Sequence, residues 1–213
     1  MTDRLTQGDV DLAVLERAVD ALIRRGVEAG RAALSPIAGQ VWLEKIRLAP
    51  VVEPRALALG TSVGSRSFSA TRSAQVLTRD GFTCRYCGCR IVPRRLLVAL
   101  SAAYPQELPY YTHYKRGTVH RVYWTLAAEA DHLVAGSQGG DWRDPTNHVT
   151  ACVYCNTQKS SRTLAEIGWT LRAVSTGEWD GLTSRYRPLW EAVGRPDLGY
   201  HQPFINALHR ART

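Results

Sequence analysis

Apolar residues recur at helical spacing near the start of the chain. Leu12, Leu15, Val19, Leu22 and Ile23 share one face, Asp9 precedes them as a cap, and Arg24 and Arg25 follow, which predicts an amphipathic helix. Ser35 followed by Pro36 is a cap and first-turn pair, and predicts a second helix through Val41, Trp42 and Ile46 that Pro50 stops. The small polar stretch from Gly60 toward Ser73 has no period and reads as a linker. A short helix from Ser73 leads into RDGFTCRYCGC (79–89), where Gly81 ends it and a turn presents Cys84 and Cys87. Between Tyr104 and Trp124 the aromatics Tyr104, Tyr110, Tyr111, Tyr114, Tyr123 and Trp124 crowd together, and TVHRVYWTL (118–126) has a strand-like composition. Thr163 and Glu166 make a capping box, and Leu182, Tyr186, Leu189, Trp190 and Val193 predict a further amphipathic helix after Asp180. The expected organisation is a helical region over 1–59, a linker over 60–72, a central domain over 73–163 and a helical extension over 164–213.

Composition narrows the class. The 213 residues are 45% hydrophobic and 22% charged, enough to bury a core and far from the disordered range. No apolar run approaches the roughly 18 residues that span a membrane, and MTDRLTQGDVD lacks the basic and apolar segments of a signal peptide, so a cytoplasmic protein without membrane association is expected. The formal charge is +8, carried by 24 Arg and only 3 Lys. It is concentrated in residues 76–163, with 11 basic and 6 acidic side chains, whereas 1–75 hold 10 and 8 and 164–213 hold 6 and 5. A surplus of this kind favours a polyanionic partner.

All five cysteines lie in the same basic span. Cys84-x-x-Cys87 and Cys152-x-x-Cys155 can supply four thiolates to one tetrahedral zinc, each pair gripping it from a turn, and with four protein ligands the site is closed and structural. Cys89, two residues beyond Cys87, reads as a free thiol beside the zinc.

Around the second pair runs EADHLVAGSQGGDWRDPTNHVTACVYCNTQKSSRT, from Glu129 to Thr163, with Asp131-His132, a Gly-Gly loop, Asn147, Cys-x-x-Cys-Asn and Lys159 in order. Together with the lead-in RDGFTCRYCG, this resembles the HNH endonuclease family over residues 73–163. The resemblance implies an α+β protein: a ββα-metal core braced by the four-cysteine zinc site, with helical N- and C-terminal flanks. It implies that Asp131 and His132 end the first strand, that Asn156 starts the helix after the second cysteine pair and faces Asp131 across a metal, and that Asn147 ties the connecting loop.

The chemistry of these side chains agrees with that reading. Phosphodiester hydrolysis needs a base to take a proton from water and a cation to neutralise charge on the phosphoryl and leaving oxygens. His132 titrates near neutrality and suits the base. Asp131 and Asn156 offer hard oxygen ligands for Mg²⁺ or Mn²⁺, Asn156 standing where many family members have His. Lys159 and Arg162 on the following helix are expected to meet phosphate, as are Lys115, Arg116 and Arg121 among the aromatics. That aromatic segment is either a base-stacking surface or a β-hairpin packing its rings on the knuckle. His148 is expected to point away from the site.

The function expected is a metal-dependent DNA endonuclease, of the kind that serves restriction or phage defence. A non-catalytic zinc-knuckle DNA-binding module is the alternative, and an RNA-directed nuclease a third reading. One site per chain would cut both strands of a duplex most easily as a homodimer.

Overall fold

The computed structural model describes residues 2–53, 68–174 and 177–212, with side chains from residue 7 onward. Helix α1 (Thr2–Arg25) buries Leu12, Leu15, Val19 and Leu22, the stripe the periodicity marks. It begins well before Asp9, which therefore caps nothing; it lies on the exposed side, 3.4 Å from Arg90. Gly26, at φ 86°, turns the chain into α2 (Val27–Leu34).

The second helix lies earlier than Ser35-Pro36 predicts. Ser35 ends α2 instead of starting a helix, and Gly39, at φ 68°, breaks any continuation. Residues 40–42 are extended: Val41 bridges His120, the Trp42 N–H donates to the Val119 carbonyl, and the Arg121 N–H donates to the Gln40 carbonyl. Backbone pairing with a segment about 80 residues away has outweighed a local capping signal.

Residues 60–67 of the expected linker lie outside the described residues. Its end is ordered: Ser69 accepts a bond from the Arg72 N–H and caps α3 (Ala70–Arg79), which starts before Ser73. Gly81 follows at φ 59°, and the knuckle turns back on itself through the Cys84 N–H to the Cys89 carbonyl (2.9 Å) and the Gly88 N–H to the Cys84 carbonyl (2.8 Å).

Strand β1 (Val92–Pro93) runs into α4 (Arg94–Ala103). The TVHRVYWTL segment is not a strand beyond its bridge at His120: Arg121–Thr125 form the short helix α5, capped by the His120 ring. Strand β2 (Ala127–His132) pairs in parallel with β1 and antiparallel with β3 (His148–Cys152), in the order β1-β2-β3. β3 passes directly into α6 (Val153–Lys159), so β2, β3 and α6 form the expected ββα unit within an α+β fold.

The Thr163–Glu166 capping box forms reciprocally, Thr163 N to Glu166 Oε2 at 2.7 Å and Glu166 N to Thr163 Oγ1 at 3.3 Å, but only turns follow it, with Gly168 at φ 63°. Helix α7 (Thr183–Ala192) buries Tyr186, Leu189 and Trp190 as predicted, with Asp180 Oδ2 accepting from the Ser184 N–H. A last helix, α8 (Leu198–Arg212), packs on α3. Leu15 of α1, Leu97 of α4, Ala151 of β3, Trp190 of α7 and Phe204 of α8 belong to one hydrophobic core.

Candidate active site and metal centre

The knuckle brings Cys84 and Cys87 to the end of β3, where Cys152 and Cys155 sit on either side of the strand–helix junction. The four Sγ atoms lie within 4.8 Å of one another and all four residues are buried. A tetrahedral zinc with bonds of about 2.3 Å separates its sulfurs by about 3.8 Å, so the donor set fits such an ion. Cys89 Sγ lies 3.2 Å from Cys87 Sγ, beside the cluster and outside it.

Asp131 and His132 are the last two residues of β2, and their side chains leave the strand on opposite faces. Asp131 faces the knuckle and α6. Its Oδ2 accepts from the Tyr86 hydroxyl at 2.6 Å and lies 3.2 Å from Lys159 Nζ, while its Oδ1 accepts from the His132 N–H at 2.7 Å. His132 faces Phe68, at 4.6 Å between ring centroids, and His148, at 5.1 Å. Burial lowers the His132 pKa, His148 adds to the effect, and Asp131 opposes it. The imidazole is therefore neutral at pH 7, the form in which it can accept a proton.

Asn147 closes the loop between β2 and β3. Its Oδ1 accepts from the Val134 N–H at 2.8 Å, and its Nδ2 donates to the carbonyls of Val134 (3.0 Å) and Asp141 (2.9 Å). The Gly-Gly pair has a steric reason: Gly139 is at φ 81°, and a Cβ on Gly140 would stand 1.9 Å from the Val134 carbonyl oxygen.

Asn156 lies in the middle of α6 and not at its start. Its Nδ2 donates to Glu129 Oε2 at 2.9 Å, and Glu129 Oε1 accepts from Arg94 Nη1 at the same distance. Asn156 is thus tied through its Nδ2 to Glu129, which shares the face of β2 with Asp131.

The basic residues separate into groups. Lys159 does not reach out to phosphate: it is 0% exposed, and its Nζ donates to the His132 carbonyl at 2.7 Å beside Asp131. Arg121, only partly exposed, is also engaged within the chain. Its Nε and Nη2 grip both oxygens of the buried Asp11 at 2.9 and 2.6 Å, joining α5 to α1. Arg162 is half-buried and its Nη1 has no partner among the described residues. Lys115 and Arg116 are exposed.

The aromatic segment packs inward, though not as a hairpin. Tyr104 and Tyr123 are fully buried, Tyr110 stacks on Tyr123 at 4.7 Å and Tyr114 meets Trp124 edge-on at 5.1 Å; only Tyr111 is exposed.

Four residues around the site were not anticipated. His148, expected to point away, is the cross-strand partner of His132 and lies on the same face, with Nε2 against the Trp142 carbonyl at 2.9 Å. Directly opposite residues share a face, so this follows from register, which spacing alone does not supply. Glu129 shares the face of Asp131 because it lies two residues earlier, a signal that was available. Tyr86 and Phe68 arrive from distant parts of the chain with no local signature.

Two strands, a glycine loop tied by an asparagine, and a helix that starts at a cysteine ligand invite comparison with known proteins. Residues 118–162 match the model of the HNH endonuclease family. No curated protein and no solved structure matches the chain. The HNH segment holds Asp131, His132, Asn147, Cys152, Cys155 and Asn156, whereas Cys84, Cys87 and Tyr86 enter the site from outside it. A nuclease of this family uses a divalent cation. Among the described residues, no helix is long and apolar enough to cross a membrane.

Proposed function

We propose that this chain is a metal-dependent DNA endonuclease that hydrolyses phosphodiester bonds with a single catalytic cation. The observation that carries the reading is the ββα unit, its helix pinned by the four-cysteine cluster, with Asp131 and His132 closing β2 and Asn156 on the helix beside that strand. In this reading the cluster would hold structural zinc, while Asp131 and Asn156 would hold Mg²⁺ or Mn²⁺.

When bound, the cation would offset negative charge on the phosphoryl and departing 3′-oxygens. The remaining work belongs to the chain. His132, kept neutral by burial, takes the proton of the attacking water on a ring nitrogen, and its ring is held between Phe68 and His148. Asn147 keeps the loop in register, so that His132 stays at the strand end. The exposed Lys115 and Arg116 can reach DNA phosphates, whereas the unpartnered Nη1 of Arg162 is itself buried.

Incubation with supercoiled plasmid tests the proposal. Nicked or linear product in Mg²⁺ or Mn²⁺, lost on chelation and carrying 5′-phosphate ends, is the expected result. Salt-sensitive DNA binding without cleavage in any divalent metal would instead identify a binding module, and preferential digestion of RNA would redirect the substrate.

A further inference from the structure

Asp131 has few places left at which to meet a cation. An ionised carboxylate offers about four lone-pair positions. On Oδ2 the Tyr86 hydroxyl and Lys159 Nζ take two, at 2.6 and 3.2 Å, and on Oδ1 the His132 N–H takes another at 2.7 Å. One position remains, on Oδ1.

Both groups on Oδ2 come from elements that carry the cysteines. Tyr86 lies between Cys84 and Cys87, 6% exposed, with its ring against Trp169 at 5.6 Å. Lys159 closes the helix that begins at Cys152 and contains Cys155, and it is also tied to the His132 carbonyl at 2.7 Å.

We propose that Tyr86 and Lys159 clamp Asp131 so that it meets the catalytic cation through one oxygen, and that the cysteine knuckle thereby sets the affinity for that cation. The inference rests on the nuclease reading above, since it takes Asp131 as a cation ligand. Tyr86 is a positioning residue: it touches neither cation nor substrate and acts through the carboxylate. Partners of this kind around a metal ligand change metal affinity by about 10–100-fold when removed.

The test is Mn²⁺ binding to the zinc-loaded full chain, followed by the electron paramagnetic resonance signal of free Mn²⁺. Tyr86→Phe keeps the ring and removes only the hydroxyl. Its Mn²⁺ Kd is expected to rise about 10–100-fold, with zinc content as in the wild type, while Asp131→Asn abolishes binding. If Asp131→Asn abolishes binding but Tyr86→Phe binds within about twofold of wild type, the clamp is wrong and the nuclease reading stands. If Asp131→Asn itself binds like wild type, Asp131 is not a ligand, and the clamp falls together with that part of the reading. Loss of zinc from Tyr86→Phe would place the hydroxyl's role in the knuckle and overturn the clamp.

Discussion

Arg121 separates a structural cation from a nucleic-acid contact, and the distinction has a calculable size. Asp11 is 0% exposed, and its two oxygens receive bonds of 2.6 and 2.9 Å from Arg121. Arg121→Ala leaves that carboxylate with a single bond, from Gln7 Nε2 at 2.9 Å. Removing one partner of a buried ion pair costs about 3–5 kcal/mol. The surviving Gln7 bond and the 24% exposure of the Arg121 side chain place this case near the lower end, about 3 kcal/mol. In a chain of this length each kcal/mol moves the melting temperature by about 2–4 °C, so the variant should melt roughly 6–12 °C lower. Adding Asp11→Ala removes the stranded charge and should recover part of the loss, which thermal denaturation of both single variants and the double variant reads as a coupling energy. The exposed Arg116→Ala should stay within about 0.5 kcal/mol of wild type in stability. Wild-type melting of Arg121→Ala, combined with weakened DNA binding, would refute the structural role and return Arg121 to the nucleic-acid surface.

Two further outcomes follow from the buried cysteines and histidines. Elemental analysis should find about one zinc per chain, and a chelator strong enough to strip it, or Cys152→Ser, should lower the melting temperature sharply, because β3 and α6 meet at that cluster; a cysteine variant that melts like wild type would contradict this. Burial lowers the pKa values of His120, His132, His148 and His201. The unfolded chain therefore binds more protons as pH falls below about 6.5, and the stability these neutral rings contribute is present above that pH and lost beneath it. Melting temperatures at pH 7.5 and 5.5 check the sign, and an unchanged or higher value at pH 5.5 would contradict it.

What could be read from the residues alone was what local chemistry determines. Paired cysteines need only a turn each, Asp131-His132 needs only a strand end, and the Thr163–Glu166 box closed on itself although no helix followed. The errors came where a distant partner decides. Arg121 reads as a surface cation until Asp11, 110 residues away, is placed against it. The Ser35-Pro36 signal is a sound local cap, but Val41 and Trp42 found a backbone partner near His120. Lys159 carried an unused clue: three residues after Asn156 and seven after Cys152, it lies on the inward face of α6. Its burial beside Asp131 follows from that period, and its ammonium is stabilised by the carboxylate and the His132 carbonyl.

His132 is the proposed base of a phosphodiester hydrolase. Its most direct test is the cleavage rate of His132→Ala on plasmid DNA in saturating Mn²⁺, in protein shown to keep its zinc and its melting temperature. The expected result is a fall of about 10²–10⁴ relative to wild type. Cleavage by His132→Ala at the wild-type rate would contradict it.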